Sequence, residues 1–293
     1  MIKNKTLRDS INFSSFLLPA FILYSIFFLY PLFSGVLYSF TRWNGISFSK
    51  EFIGVENFKE IFSDKRFLDS LFFTFKYAVL NVIFINILAF ALALMLDRAV
   101  KGIGFLRSIF FMPNVISMVI VGFIWQFIFM NVVGEVSKFS GLSFLNQSWL
   151  GNPHIALYSV TLVSVWRGTG YMMIIYLAGL QTINSEIIDA SRIDGASGWS
   201  KFLYIILPLM IPSINICLFM TIANSFKMFD LVFAMTRGGP GYATEVVSLN
   251  IYNEAFLNDR YGYGIAKAVV LAIIIMIITY IQLKTLKKKE VVL

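Results

Sequence analysis

Six stretches of this chain are too long and too apolar for a water-soluble fold, at about 13–40, 71–96, 109–130, 155–180, 202–226 and 262–283. A bilayer core of about 30 Å needs about 20 apolar residues in helical form, because lipid offers no partner for free backbone groups. These stretches therefore predict an all-α integral membrane protein of six transmembrane helices, treated as one domain over 1–293. Composition agrees where it decides something. Only 14% of residues are charged, against about 25% in an ordinary soluble domain. Pro19 and Pro31 in the first stretch and Pro208 and Pro212 in the fifth predict kinks, since neighbouring helices re-satisfy the backbone groups that proline frees. The first stretch is too long and aromatic for a cleavable signal peptide.

Basic residues set the expected sidedness. With both termini inside, the inner segments carry twelve cations, including Lys3, Lys5, Arg8, Arg98, Lys101, Arg107, Lys201 and Lys289, against six anions. The outer loops then carry nine cations against ten anions. The net charge of +8 thus reads as positive charge held at an inner membrane face, and no basic stripe on a soluble domain suggests nucleic acid as a partner.

This orientation puts the polar insert 181–201 inside. From Ser185 to Ser191 it has helical composition, with Ser185 as a candidate cap and Glu186 and Asp189 near the helix ends. Gly195 allows a left-handed turn, and Pro208 follows where the next apolar run begins. A short surface helix presented sideways to a partner needs this layout.

Catalytic constellations are missing from the sequence. Gly238-Gly239-Pro240-Gly241 lacks the Lys-Ser/Thr of a phosphate loop. One histidine, His154, and one cysteine, Cys217, give no metal-ligand set. The near-absence of acids within the apolar runs counts against proton-coupled transport and intramembrane catalysis alike. The polar residues that do occur in the runs suit hydroxylated ligands. Asn114 and Ser117 follow Pro113. Ser164, Gly168 and Tyr171 share the fourth run with Trp166. Thr221, Asn224, Ser225 and Met228 fall at i, i+3, i+4 and i+7, on one helical face. Arg167, inside the fourth run, costs about 2.5–3.5 kcal/mol on insertion scales if central, so it must face protein or water. A structural role is favoured over binding an anionic sugar or pairing with a partner's acid. Lys267 is expected to snorkel from the outer end of the sixth run, and Lys227 and Asp230 to pair locally.

The insert's core, Asp189-Ala190-Ser191-Arg192-Ile193-Asp194-Gly195-Ala196 followed by Ile205, Leu207 and Pro208, resembles the "EAA" coupling motif of ABC-importer permeases. It departs from that motif in Asp189 for Glu and Ser191 for Ala. Phe52-Ile53-Gly54-Val55-Glu56-Asn57-Phe58, Trp149-Leu150-Gly151-Asn152-Pro153, Trp166-Arg167-Gly168-Thr169-Gly170-Tyr171, Thr236-Arg237-Gly238-Gly239-Pro240 and Tyr261-Gly262-Tyr263-Gly264 extend the resemblance over nearly the whole chain. They are similar to the carbohydrate-uptake branch, and most to the larger, sugar-contacting permease of the maltose-type pair.

The resemblance implies a type I ABC importer permease fold in a bacterial cytoplasmic membrane and transport of a carbohydrate by alternating access. It implies no enzyme activity and no cofactor in this chain. ATP and Mg would sit on a partner ATPase dimer, and a second permease and an extracellular or periplasmic solute-binding protein would complete the assembly. Glu186, Asp189, Ala190, Ser191, Asp194, Gly195 and Ala196 would meet the ATPase. Asn114, Ser164, Gly168, Tyr171, Thr221, Ser225 and Met228 match the relative's sugar-lining positions. Several of these side chains are smaller or less polar here, so the same substrate is not implied. The alternative is the same machinery serving glycerol phosphate or another anionic solute. A non-transporting scaffold or receptor is the rival from another class.

Overall fold

The computed structural model describes residues 13, 15–97 and 102–288. Lys3, Lys5, Arg8, Arg98, Lys101 and Lys289 of the charge argument lie outside them. Five helices are long and apolar enough to cross a membrane: α1 (Ser15–Tyr38), α3 (Lys65–Leu96), α5 (Met118–Ser140), α6 (Pro153–Gln181) and α12 (Tyr261–Lys287). A sixth candidate is a pair, α8 (Gly198–Leu209) and α9 (Ile211–Phe226), bent by 68°. Pro208 and Pro212 flank that bend, where ring and missing N–H both disrupt the helical ladder. Shorter elements are the strands β1 (Thr41–Arg42) and β2 (Glu51–Phe52) and the helices α2 (Glu56–Ser63), α4 (Ile103–Val115), α7 (Ser185–Ile193), α10 (Asp230–Met235) and α11 (Val247–Tyr252).

The third apolar stretch differs most from expectation. The stretch 109–130 is not one helix. It straddles the end of α4 and the start of α5, which are separated by Ile116 and Ser117 in extended conformation, each with ψ 137°. Hydropathy is blind to this break because both sides are apolar. The spanning helix continues instead to Ser140.

By its internal contacts the chain divides into two compact units. One comprises the chain up to Ser63 together with Ile251–Val270. Here β1 and β2 pair antiparallel with Thr41 opposite Phe52, and Asn57 of α2 donates to the carbonyls of Ser39 and Thr41 at 2.8 and 3.0 Å. Lys267 does not snorkel. It is 0% exposed, lies 3.6 Å from Glu254 and sits over the Tyr263 ring. A buried charge of this kind is kept only by a partner, and sequence distance hid Glu254. Arg260, 2.6 Å from Glu60 and 3.7 Å from Glu254, extends the ion-pair chain.

The second unit comprises Asp64–Asn250 and the chain from Leu271 onward. Asp64 caps α3 by accepting from the Phe67 N–H, and Asn152 caps α6, which has Pro153 in its first turn. The core lies where α3 meets α6. Ile85, Ala89 and Ala93, one face of α3 at four-residue spacing, pack with Val165, Met172, Met173 and Tyr176 of α6 and with Met210 and Cys217. Small residues on such a face let two helices approach closely. Arg66, in the first turn of α3, makes two bonds to Glu245, at 2.8 and 2.6 Å.

Candidate functional site

A cavity of about 360 Å³ opens within the second unit. α3 contributes Tyr77, Asn81 and Ile85; α4 contributes Asn114; α5 contributes Met118; and α6 contributes Ser164, Arg167, Gly168, Tyr171 and Met172. Thr221 and Asn224 of α9, the Lys227–Phe229 turn and Asp230 and Leu231 at the start of α10 close it. Of the residues proposed from sequence, Asn114, Ser164, Gly168, Tyr171, Thr221, Asn224 and Met228 share this lining. Ser117 and Ser225 do not. Ser117 occupies the cap position of α5, and Ser225 is buried, donating to the Thr221 carbonyl at 2.7 Å.

Hydrogen bonds tie the walls together. Tyr77 and Ser164 share a bond of 2.7 Å between α3 and α6. Asn86 donates to Thr221 Oγ1 at 3.0 Å and accepts from the Tyr176 hydroxyl at 2.6 Å. Thr221 itself donates back to the Cys217 carbonyl at 2.7 Å. Tyr77, Asn81 and Asn86 are absent from the residues proposed above. Their signal was legible, since Tyr77, Asn81 and Ile85 recur every four residues, and an amide in an apolar run is costly unless it is partnered.

Arg167 has a defined structural use. Its guanidinium donates to the carbonyl of Asn114 at 3.1 Å and to that of Ile116 at 3.2 and 3.3 Å. The break after α4 frees these carbonyls, and a cation at a helix C-terminus satisfies them and complements the dipole. No ion pair joins Lys227 to Asp230 among the described residues; both face the cavity instead.

Within the 181–201 insert, α7 lies between turns that join it to the end of α6 and the start of α8. Its cap is Asn184, which accepts from the Glu186 N–H at 2.9 Å. Ser185, the cap proposed from sequence, is the first helical residue; both residue types cap well, and composition alone could not choose between them. Asp189 pairs with Arg192 at 2.8 Å, well exposed. Ser191 is buried, its hydroxyl donating to the Ile188 carbonyl at 2.6 Å, so at this position a small side chain faces the protein. Glu186, Ala190, Asp194 and Gly195 are exposed and Ala196 is half-buried. Gly195 holds φ +79°, and the Ala196 N–H bonds back to the Ser191 carbonyl at 2.9 Å, an αL helix ending that favours glycine. Around it Ile193 and Trp199 stand 87% and 71% exposed. Apolar side chains this open, beside a rigid turn, suit a protein contact.

Among the described residues no group of histidine, cysteine or acids could hold a metal ion. Comparison with known proteins supplies the family. The profile described as "Binding-protein-dependent transport system inner membrane component" matches residues 85–288. The chain is 37% identical to the probable starch degradation products transport system permease protein AmyD of Thermoanaerobacterium thermosulfurigenes, over 99% of this chain and 98% of that protein. It is 32% identical to the sn-glycerol-3-phosphate transport system permease protein UgpA of Agrobacterium fabrum, over 92% and 93%. The fold matches a chain in the crystal structure of a bacterial ABC transporter involved in the import of the acidic polysaccharide alginate, with TM-score 0.83 and 22% identity over 97% of this chain and 98% of that one. The six apolar segments, the polar insert and this match over most of the sequence converge: the chain belongs to the binding-protein-dependent transport system inner membrane components, the non-enzymatic permease subunits of ABC importers, and has their type I fold.

Proposed function

We propose that this permease carries a carbohydrate through the cavity between α3, α6 and α9, with both termini and the 181–201 insert on the cytoplasmic side. The insert is the docking element for a separate ATPase, on which ATP and Mg are bound. A second permease completes the pathway, and a solute-binding protein delivers the sugar from outside. The family supports the general assembly, and the exposed Ile193 and Trp199 around the Gly195 turn support the docking role.

The cavity lining carries the carbohydrate reading. Tyr77, Asn81, Asn114, Ser164, Tyr171, Thr221 and Asn224 bring neutral hydroxyls and amides beside aromatic and methionine surface, the mixture that recognises a polyhydroxylated, uncharged ring. The alternative, an anionic solute such as glycerol phosphate, would need spare positive charge. Arg167, Lys227 and Asp230 all face the cavity, and Arg167 spends two of its three nitrogens on the Asn114 and Ile116 carbonyls, so the lining offers one net positive charge and no cluster of uncompensated cations. AmyD's description agrees with the carbohydrate reading and UgpA's with the alternative.

The test is reconstitution of this chain with its neighbouring permease, ATPase and binding protein in liposomes. ATP hydrolysis is then read with maltose, maltotriose, raffinose, melibiose and glycerol 3-phosphate. Stimulation by a sugar and not by the phosphate is expected; stimulation by glycerol 3-phosphate alone would overturn the reading.

A further inference from the structure

Two asparagines of α3, five residues apart, are treated differently by the fold. Asn86 is fully used. Its Oδ1 accepts from the Tyr176 hydroxyl, and its Nδ2 donates to the Val82 carbonyl at 2.7 Å and to Thr221 Oγ1 at 3.0 Å. Asn81 is not. Its Nδ2 donates to Ser225 Oγ at 2.9 Å, while its Oδ1 is buried without a hydrogen-bond partner.

The Ser225 hydroxyl donates to the Thr221 carbonyl at 2.7 Å and accepts from the Asn81 NH₂, which leaves the amide oxygen on the other side of the side chain. Asn81 is 4% exposed and, unlike Asn86, belongs to the cavity lining. A buried acceptor left unpaired is costly, and an apolar residue of similar size would avoid the cost. Along the same wall Tyr77 and Ser164 bond each other, and Thr221 bonds Asn86 and Cys217.

We infer that Asn81 is a specificity-determining residue of the transport cavity, its amide oxygen accepting a hydrogen bond from one hydroxyl of the transported carbohydrate. The inference rests on the carbohydrate reading above and deepens it. In the conformation described here Oδ1 is buried, so the hydroxyl engages it in another conformation of the transport cycle, in which the Asn81–Ser225 bond is kept. Ser225 is then a positioning residue that aims the amide through its accepted bond.

The experiment uses the reconstituted four-component importer and whichever of maltose, maltotriose, raffinose and melibiose drives uptake best, together with its monodeoxy analogues. In the natural protein, one deoxy position is expected to lower uptake efficiency about tenfold, the order of one hydrogen bond. In Asn81→Leu that penalty vanishes while penalties at other positions persist. A purely structural role would lower uptake of all analogues equally and leave their ratios unchanged. Unchanged ratios in Asn81→Leu would overturn the inference and leave the carbohydrate reading standing. If Asn81→Leu fails to assemble, Asn81→Ala takes its place, and unchanged ratios there overturn the inference instead. Uptake driven by glycerol 3-phosphate and by no sugar in the natural protein would remove both.

Discussion

Replacing Gly170 with alanine adds one methyl group, and the structure sets its consequence. The new Cβ would lie 1.9 Å from the Phe110 carbonyl oxygen, 2.6 Å from its carbon and 3.0 Å from Phe111 Cα. All three are backbone atoms of α4, so no side chain can swing away. To relieve the clash, α4 and α6 must separate by roughly 1 Å, and overpacking of this kind costs about 1–3 kcal/mol, more where backbone must move. Alanine's better helix propensity returns about 1 kcal/mol. A second loss follows, because Arg167 holds the carbonyls of Asn114 and Ile116 at 3.1–3.3 Å across the same interface. A bond lengthened by roughly 1 Å no longer counts as a hydrogen bond; the flexible guanidinium can follow one carbonyl, and losing one net charged-donor bond costs about 1.5–3 kcal/mol. The net destabilisation is therefore about 3 kcal/mol.

Gly168, two residues earlier, is the control. Its added Cβ would meet Ile85 Cδ1 at 2.8 Å, the far end of a flexible side chain, and the cost should stay below about 1 kcal/mol. The assay is the thermal midpoint and yield of the detergent-solubilised, co-expressed complex, followed by sugar-stimulated ATP hydrolysis. Gly170→Ala should lower the midpoint markedly and Gly168→Ala little. Equal midpoints for the two variants would refute the close-approach argument.

At Gly195, whose added Cβ meets nothing within 4 Å but whose φ is +79°, valine should cost about 1–2 kcal/mol locally and uncouple hydrolysis from transport. Asparagine, which tolerates that conformation, should retain most coupling; normal transport and ATPase recovery with valine would count against the docking role. The Arg66–Glu245 pair should respond asymmetrically in thermal unfolding, because the side chains are 31% and 1% exposed. Arg66→Ala strands a buried carboxylate and should cost about 3–5 kcal/mol, whereas Glu245→Ala leaves a cation that can reach water and should cost less; the reverse order would contradict this account. Lys267→Met should lower the midpoint by removing the charge 3.6 Å from buried Glu254, and Glu254→Gln in the same chain should recover part of the loss.

The apolar runs are long enough to read without a structure, because lipid leaves the backbone no alternative to the helix. The insert between the fourth and fifth runs is legible for the same reason, as a polar interruption where apolar residues are otherwise demanded, and the glycine that ends its helix can be read from residue type alone. The sequence also marks Asn114, Ser164, Tyr171, Thr221, Asn224 and Met228 as polar or soft residues on apolar helices. Hydropathy has no term for a helix that stops between two apolar halves, so the break at Ile116–Ser117 belongs to the tertiary structure. There Arg167, 51 residues away in sequence, satisfies the freed carbonyls and turns a costly charge into a cap. Only packing separates Gly170, pressed on backbone, from Gly168, facing a side chain that can yield. Local sequence likewise cannot say whether an asparagine in an apolar helix is saturated, as Asn86 is, or left one donor short beside a cavity, as Asn81 is. That difference depends on which hydroxyls α6 and α9 bring alongside, and long-range geometry alone decides it.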